Sequence, residues 1–139
     1  PAYGKYLRRL ILKNRLEGKV RVLGNLSAEE MKREYLSAQI FVCPSAVENS
    51  PNSVAEGQLL GVPVAASRTG GIPDIVKDGV SGLLFEKGNV HELAACVSRI
   101  LTDKQLAKEL SASERETAAK LYNGECNYQK LIEIYQSIE

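Results

Sequence analysis

Two short apolar runs, "AQIFVC" at 38–43 and "VPVAAS" at 62–67, bracket a segment whose residues 51–60 read as a helix, and this order narrows the fold more than any other feature. The first run is nearly unbroken in apolar character and stops at Pro44, which predicts a strand buried on both faces. Downstream, "GLLFE" at 82–86 reads as a further strand. Ser27 with Glu30, and Asn89 with Glu92, have the spacing of capping boxes, which predicts helices from Ser27 through about Ser37 and over "HELAACVSRIL". Upstream, Tyr6, Leu7, Leu10, Ile11 and Leu16 recur at helical spacing within 3–16, and "KVRVLG" at 19–24 reads as a short strand ended by Gly24. Helices near 103–121 and 125–138 close the chain, and Leu131, Ile132, Ile134 and Tyr135 form an apolar set able to pack on the domain. Strands alternating with helices predict an α/β fold with a mostly parallel sheet. With 139 residues, 44% of them hydrophobic and 25% charged, the expectation is a single globular domain over 1–139.

Several classes are disfavoured. No apolar run reaches the roughly 18 residues needed to span a bilayer, and "PAYGKYLRRLILKNRLEGK" is too basic for a secretory signal, so a cytoplasmic setting is expected. Cys43, Cys96 and Cys126 are widely spaced and read as reduced and structural, with Cys126 the one expected to be exposed. Residues 1–21 hold seven Lys or Arg against the single acid Glu17, a stripe that suits either a solvated helix face or peripheral contact with an anionic membrane. No aromatics interleave with these charges as in a nucleic-acid groove, so no nucleic-acid partner is expected. His91 has no second ligand in range, and Ser45 has no neighbouring His, so neither a metal site nor a serine nucleophile is read.

In a parallel α/β sheet, ligands bind beyond the carboxyl ends of the strands, which directs attention to the turn after residue 43. Ser50 is the predicted N-cap of the following helix, and Pro51 its first residue. The N–H groups of Asn52 and Ser53 would then face an anion such as a phosphate. Glu48 and Glu56 stand eight positions apart around this helix start, the latter roughly 7 to 8 Å along it at 1.5 Å per residue. Carboxylates accept paired hydrogen bonds from vicinal sugar hydroxyls, so two of them beside a phosphate site suit a sugar nucleotide. Two acids eight positions apart are common, and from spacing alone Glu48 also reads as an exposed loop acid and Glu56 as an ordinary helical surface charge. Gly70-Gly71 is read first as a tight turn needing positive φ, although its place after a strand sets it near any ligand.

The stretch from Ala38 to Asn89 resembles the donor-binding half of retaining glycosyltransferases of GT-B architecture, family four in particular. The likeness rests on Pro44-Ser45, Glu48 and Glu56 with seven residues between them, Gly61-Val62-Pro63-Val64, Gly70-Gly71, Ile75-Val76, Asp78-Gly79 and Gly82-Leu83-Leu84. It implies a Rossmann-like parallel sheet with helices on both faces, the GT-B C-terminal domain without its first two strands. By the resemblance, Glu48 is the catalytic-site carboxylate that contacts the transferred sugar, and Glu56 takes the ribose hydroxyls. Ser45, Asn49, Ser50, Asn52, Ser53 and Val54 line the donor, and Gly24 and Leu26 lie near its base. The resemblance further implies a UDP- or GDP-sugar as substrate, no metal or other cofactor, and a saccharide or lipid-linked acceptor reached through an acceptor domain absent from these residues.

Departures from the family pattern bear on these expectations. Ser50 and Pro51 follow the first glutamate where relatives carry an aromatic or leucine and then glycine, and Gly57-Gln58-Leu59 replaces a usual Ala-hydrophobic-Ala run. The two strands expected before the first helix, with their diphosphate-binding Arg and Lys, are missing, so the chain reads as part of a transferase, incomplete by itself. In a sheet ordered 3-2-1-4-5-6 that loss falls between "VRVLG" and "QIFVC". Either those two strands pair directly, or another chain fills the gap and the molecule self-associates through exposed edges. A sugar-nucleotide-binding module without turnover, or one subunit of a split transferase, is the alternative reading.

Overall fold

The computed structural model of the chain describes residues 2–136. Two compact units divide between Met31 and Lys32, and each is described by itself. In the first, α1 (Ala2–Lys13) stops short of the predicted residue 16. Asn14 donates its side-chain amide to the Leu10 carbonyl at 2.8 Å, and Arg15 takes φ 54°, a left-handed conformation that ends the helix. The strand predicted at 19–24 does not form: no strand pairs with it, and Val20, Val22 and Leu23 are exposed. Alternating Val and Leu favour a strand, but the ladder also needs a neighbour to take its N–H and C=O groups. Direct pairing of "VRVLG" with "QIFVC" is therefore not what the structure adopts. The helix α2 (Ala28–Ser37) does carry its predicted capping box. The Ser27 N–H donates to Glu30 Oε2 at 2.8 Å, and the Glu30 N–H returns to Ser27 Oγ at 3.4 Å.

In the second unit the order is β1 (Phe41–Cys43), α3 (Asn52–Leu60), β2 (Val64–Ser67), α4 (Ile72–Ile75), β3 (Leu83–Phe85), α5 (Val90–Thr102), α6 (Lys104–Leu121) and α7 (Gly124–Gln136). The three strands form a parallel sheet ordered β1-β2-β3, with Val42 opposite Ala65 and Ala66 opposite Leu84. The predicted α/β class with a parallel sheet is what forms. Burial is distributed differently from the sequence expectation. β1 is an edge strand with Phe41 and Val42 only half-buried, whereas all four residues of β2 are buried. The strand covered on both faces is the second apolar run, not the first.

Strand alternation sorts the core onto two faces. Val64, Ala66 and Leu84 join Val54 of α3 and Ile72 of α4 on one face. Ala65, Leu83 and Phe85 join Cys96 and Ile100 of α5 and Leu110 of α6 on the other. Gly57 has a packing reason for its place inside α3: a Cβ there would lie 3.3 Å from Phe41 Cδ1. Gln58, fully buried beside it, donates through Nε2 to the carbonyls of Ile75 and Ser81 at 3.2 and 3.0 Å, tying α3 to the loop before β3. Asn89 caps α5 as predicted, accepting from the Glu92 N–H at 3.2 Å, and Asp103 caps α6 by accepting from the Gln105 and Leu106 N–H groups. α7 buries none of its residues: Leu131, Ile134 and Tyr135 are exposed, and Ile132 is half-buried.

α6 also clasps the connection between α3 and β2. Ser111 Oγ donates to the Gly61 carbonyl at 2.7 Å, and the Arg115 guanidinium donates to the Leu60 carbonyl at 2.8 Å. Glu114, fully buried, accepts the Val64 N–H on Oε1 at 2.9 Å, while its Oε2 has no partner. Burial pushes its carboxyl up to about 8 against the lowering effect of the Val64 N–H. The folded state thus keeps a proton that the unfolded chain releases above the ordinary carboxyl value of 4.5. Stability is therefore expected to fall as pH rises from 4.5 to about 8, at roughly 1.4 kcal/mol per pH unit from this group, and to level off above. Denaturant unfolding across that range checks this: Glu114→Gln, which keeps the acceptor for Val64, should flatten the slope. An unchanged slope would refute the assignment.

Candidate functional site

Because the strands are parallel, their carboxyl ends at Cys43, Ser67 and Phe85 lie on one side of the sheet. The loop 44–51, the turn 68–71 and the start of α3 all leave from that side. The helix begins one residue later than the sequence predicts: Pro51, not Ser50, is the N-cap, with φ −78° and ψ 73°, and no side chain caps the end. The Ser50 carbonyl instead accepts the Asn52 N–H at 2.9 Å, and the Pro51 carbonyl accepts from Val54 at 3.0 Å. The Ser53 N–H is the first-turn donor that neither carbonyl takes.

Glu48 is held from several directions. Ser45 Oγ donates to Glu48 Oε1 at 2.8 Å. That single hydroxyl hydrogen is then committed, so the Cys43 thiol, 3.5 Å from Ser45 Oγ, is the donor in their contact. The turn after β2 presses on the backbone of the same loop. At Gly70, with φ 53°, a Cβ would overlap the Glu48 carbonyl oxygen, and at Gly71 it would lie 2.7 Å from the Asn49 carbonyl oxygen. The Gly-Gly pair is thus a tight turn and also a close backbone approach.

Glu56 stands exposed on α3 beside Tyr35 of α2. The Tyr35 ring packs edge-on against Phe41 at 5.2 Å, and its hydroxyl donates to the Ser53 carbonyl at 2.9 Å. Burial, and then the Glu56 carboxylate, push the phenol up to about 12, so it stays a neutral donor beside the helix start. At the loop 49–52 a cavity of about 410 Å3 opens, lined by Asn49, Ser50 and Asn52, by Gly71 and Asp74, and by Tyr122 and Asn127; neither Glu48 nor Glu56 lines it. None of its lining residues is Lys or Arg. Arg68, just beyond β2, is paired with Asp78 and Glu86.

The structure therefore brings Ser45, Glu48, Asn49, Ser50 and Asn52 together around one loop and helix start, with Ser53, Val54 and Glu56 on α3. Gly24 and Leu26 belong to the first unit and are described with it alone; Gly24 has φ 71° and is exposed. Sequence reasoning missed Tyr35, Ser67, Asp74, Tyr122 and Asn127. Ser67 carried a signal, being a polar residue that ends an otherwise apolar strand, whereas Tyr122, in the turn after α6, and Asn127, on α7, belong to a segment that reads as plain scaffold. Of the three thiols Cys126 is the exposed one, and all three are free. Among the described residues no three His, Cys, Asp or Glu side chains converge as metal ligands, and no helix is long and apolar enough to cross a membrane.

A family model described as glycosyl transferases group 1 matches residues 2–117. The chain belongs to this family. Among curated members it is 34% identical over 100 residues to a sulfoquinovosyl transferase of Arabidopsis thaliana, covering 70% of this chain and 20% of that protein. It is also 30% identical over 122 residues to an uncharacterised glycosyltransferase of Methanocaldococcus jannaschii, covering 88% of this chain and 34% of that protein. Among solved structures, Anabaena HepE in complex with UDP matches with a TM-score of 0.89 at 26% identity, over 98% of this chain and 37% of its own; HepE was also solved with UDP-glucose. A sucrose-phosphate synthase from Thermosynechococcus elongatus matches with a TM-score of 0.86 at 28% identity, over 99% of this chain and 34% of its own. The fold is thus that of GT-B glycosyltransferases, and the chain spans about a third or less of each relative named here.

Gly70 gives this loop geometry a direct test. Gly70→Ala places an L residue at positive φ and also drives a methyl group into the Glu48 carbonyl, whereas at Gly88, with φ 79°, a Cβ would meet only open space. Strain from φ alone is about 1 kcal/mol or more at either site. Chemical denaturation should show Gly70→Ala losing clearly more stability than Gly88→Ala; equal losses would mean that the turn does not bear on the Glu48 loop.

Proposed function

We propose that this chain forms the donor-binding part of a retaining glycosyltransferase that uses a nucleotide-activated sugar, UDP- or GDP-linked, without a divalent metal. The observation that carries this reading is the placement of Glu48 and Glu56 on either side of the α3 start, at the carboxyl ends of a parallel sheet. Ser45 occupies one oxygen of the Glu48 carboxylate, and the other is an acceptor for hydroxyls of the transferred sugar. Glu56, exposed on the next turns of α3, takes the ribose hydroxyls, and Asn49, Ser50 and Asn52, which line the cavity at the helix start, with Ser53 next along α3, supply the further donor contacts. Family membership supports the transferase chemistry, and the UDP and UDP-glucose complexes of HepE support a nucleotide-sugar donor.

The chemistry assigned to these residues is positioning: binding energy on the nucleotide holds the anomeric carbon where an acceptor hydroxyl reaches it, and fixed dipoles stabilise the departing diphosphate. The acceptor, a saccharide or lipid-linked glycan, is met by residues outside this chain, in a cytoplasmic setting with peripheral membrane contact through the basic residues of α1. A second reading, a sugar-nucleotide-binding subunit completed by another chain, is favoured by the cavity lining, which holds hydroxyl acceptors and no cation for a diphosphate.

Calorimetric titration of the chain with UDP, GDP and ADP, and with UDP-glucose, GDP-mannose and ADP-glucose, tests the first reading. Saturable binding to one nucleotide family is expected, weakened about tenfold or more by Glu56→Ala through the loss of hydrogen bonds to a charged acceptor. Undiminished binding by Glu56→Ala would remove the ribose from that residue.

A further inference from the structure

We infer that Ser67 and Ser45 are positioning residues that set the Glu48 carboxylate, linking the last residue of the central strand to the sugar end of the site. The inference rests on the proposed role of Glu48 for its functional consequence, but its geometry stands independently of any ligand. Ser67 is fully buried at the end of β2, where a polar side chain is retained only if it is hydrogen-bonded. Its hydroxyl donates to the Ser45 carbonyl at 2.6 Å, across 22 residues of sequence. Ser45 in turn spends its own hydroxyl hydrogen on Glu48 Oε1 at 2.8 Å. The Cys43 thiol supplies the hydrogen that the Ser45 oxygen can still accept, at 3.5 Å.

The direction of these bonds matters. Ser67 fixes the backbone of Ser45, the fixed backbone aims the Ser45 hydroxyl, and the hydroxyl holds one oxygen of Glu48, so the second oxygen is presented in one orientation. A Glu side chain released from this relay samples several rotamers and must be ordered again each time a hydroxyl binds. The strand end, made rigid by burial on both faces, is the natural anchor for such a relay. The Gly70-Gly71 turn, lying against the carbonyls of Glu48 and Asn49, limits the same loop from the backbone side. Preorganisation of this kind acts on the group that touches Glu48 and not on the nucleotide, which is held elsewhere on α3.

Two measurements on the same proteins separate this inference from the donor assignment. The first is the side-chain carboxyl carbon resonance of Glu48 by NMR, assigned through Glu48→Gln. Ser45→Ala and Ser67→Ala should both shift it, and Ser45→Thr, which restores the hydroxyl, should return it toward the native position. The second is titration with UDP and with UDP-glucose, or with GDP and GDP-mannose if the guanine series is the one bound. Ser45→Ala should weaken the conjugate about tenfold, the scale of one hydrogen bond to a charged group, while leaving the free diphosphate within about twofold. If neither serine variant moves the Glu48 resonance, the relay is overturned whatever the donor does. Equal weakening of conjugate and free diphosphate would also overturn it, since that is the signature of a general loss of structure. If the resonance moves and Ser45→Thr restores it, but the native chain binds the conjugate no more tightly than the diphosphate, the relay stands and the sugar assignment of Glu48 fails. Should Ser67→Ala prove unfolded by circular dichroism, the half-buried Ser45 and its Thr rescue decide the matter by themselves.

Discussion

Burial of β2 on both faces is the constraint from which the rest of the second unit follows. Val64, Ala65, Ala66 and Ser67 are all fully buried, and two of the four are alanines because helices lie against both sides. Larger side chains there would force the helices apart, and overpacking of a close-fitted core costs about 1–3 kcal/mol. The strand also needs its ends satisfied. At its start the Val64 N–H goes to Glu114 of α6, and at its finish the Ser67 hydroxyl goes to the Ser45 carbonyl. One strand therefore joins the clasp made by α6 to the loop that carries Glu48, and the core and the candidate site share a single rigid reference.

What the sequence disclosed and what it hid divide along the range of the interactions concerned. The capping box at Ser27–Glu30 and the Asn89 cap, whose side chain bonds Glu92, are formed by residues three apart, so their chemistry is complete within the local sequence. The strand–helix alternation is likewise a local pattern, and it delivered the parallel α/β sheet. The contacts that give the site its shape are not local. Tyr35 reaches Ser53 across 18 residues, Ser67 reaches Ser45 across 22, and Glu114 reaches Val64 across 50. Nothing in a window of ten or so residues marks Glu114 as buried, since it looks like any charged residue on a long polar helix. The shift of the α3 cap from Ser50 to Pro51 has a smaller cause: proline fixes φ but leaves ψ open, so it can close the helix from outside as readily as begin it.

The misreading of 19–24 has a plain physical origin. Apolar residues at regular spacing state that a surface is made to be covered, not what covers it. Val20, Val22 and Leu23, and separately Leu131, Ile134 and Tyr135, have the required spacing and stay exposed. By contrast, Gly57 stood out in the sequence as a departure from the family pattern, and Phe41 is what packs against it.

The electrostatic character of the cavity bears on how a donor would be read by it. Its lining offers Asp74, amides and hydroxyl acceptors but no cation, and the basic groups nearest the turn are already engaged. Arg68 is paired with Asp78 and Glu86, and Lys77 donates to the Pro73 carbonyl at 3.2 Å. A dianionic ligand entering such a site gains little from charge attraction to its lining, so the α3 N-terminus, with its Ser53 N–H, is a favourable electrostatic feature beside it. On the proposed reading, discrimination among donors then falls to hydroxyl geometry at Glu48 and Glu56. A carboxylate separates two sugars that differ in one hydroxyl only if its own orientation is fixed before they arrive, because a mobile acceptor adapts to both. The hydrogen bonds that hold Glu48 from the sheet side are therefore as much a part of selectivity as the carboxylate itself.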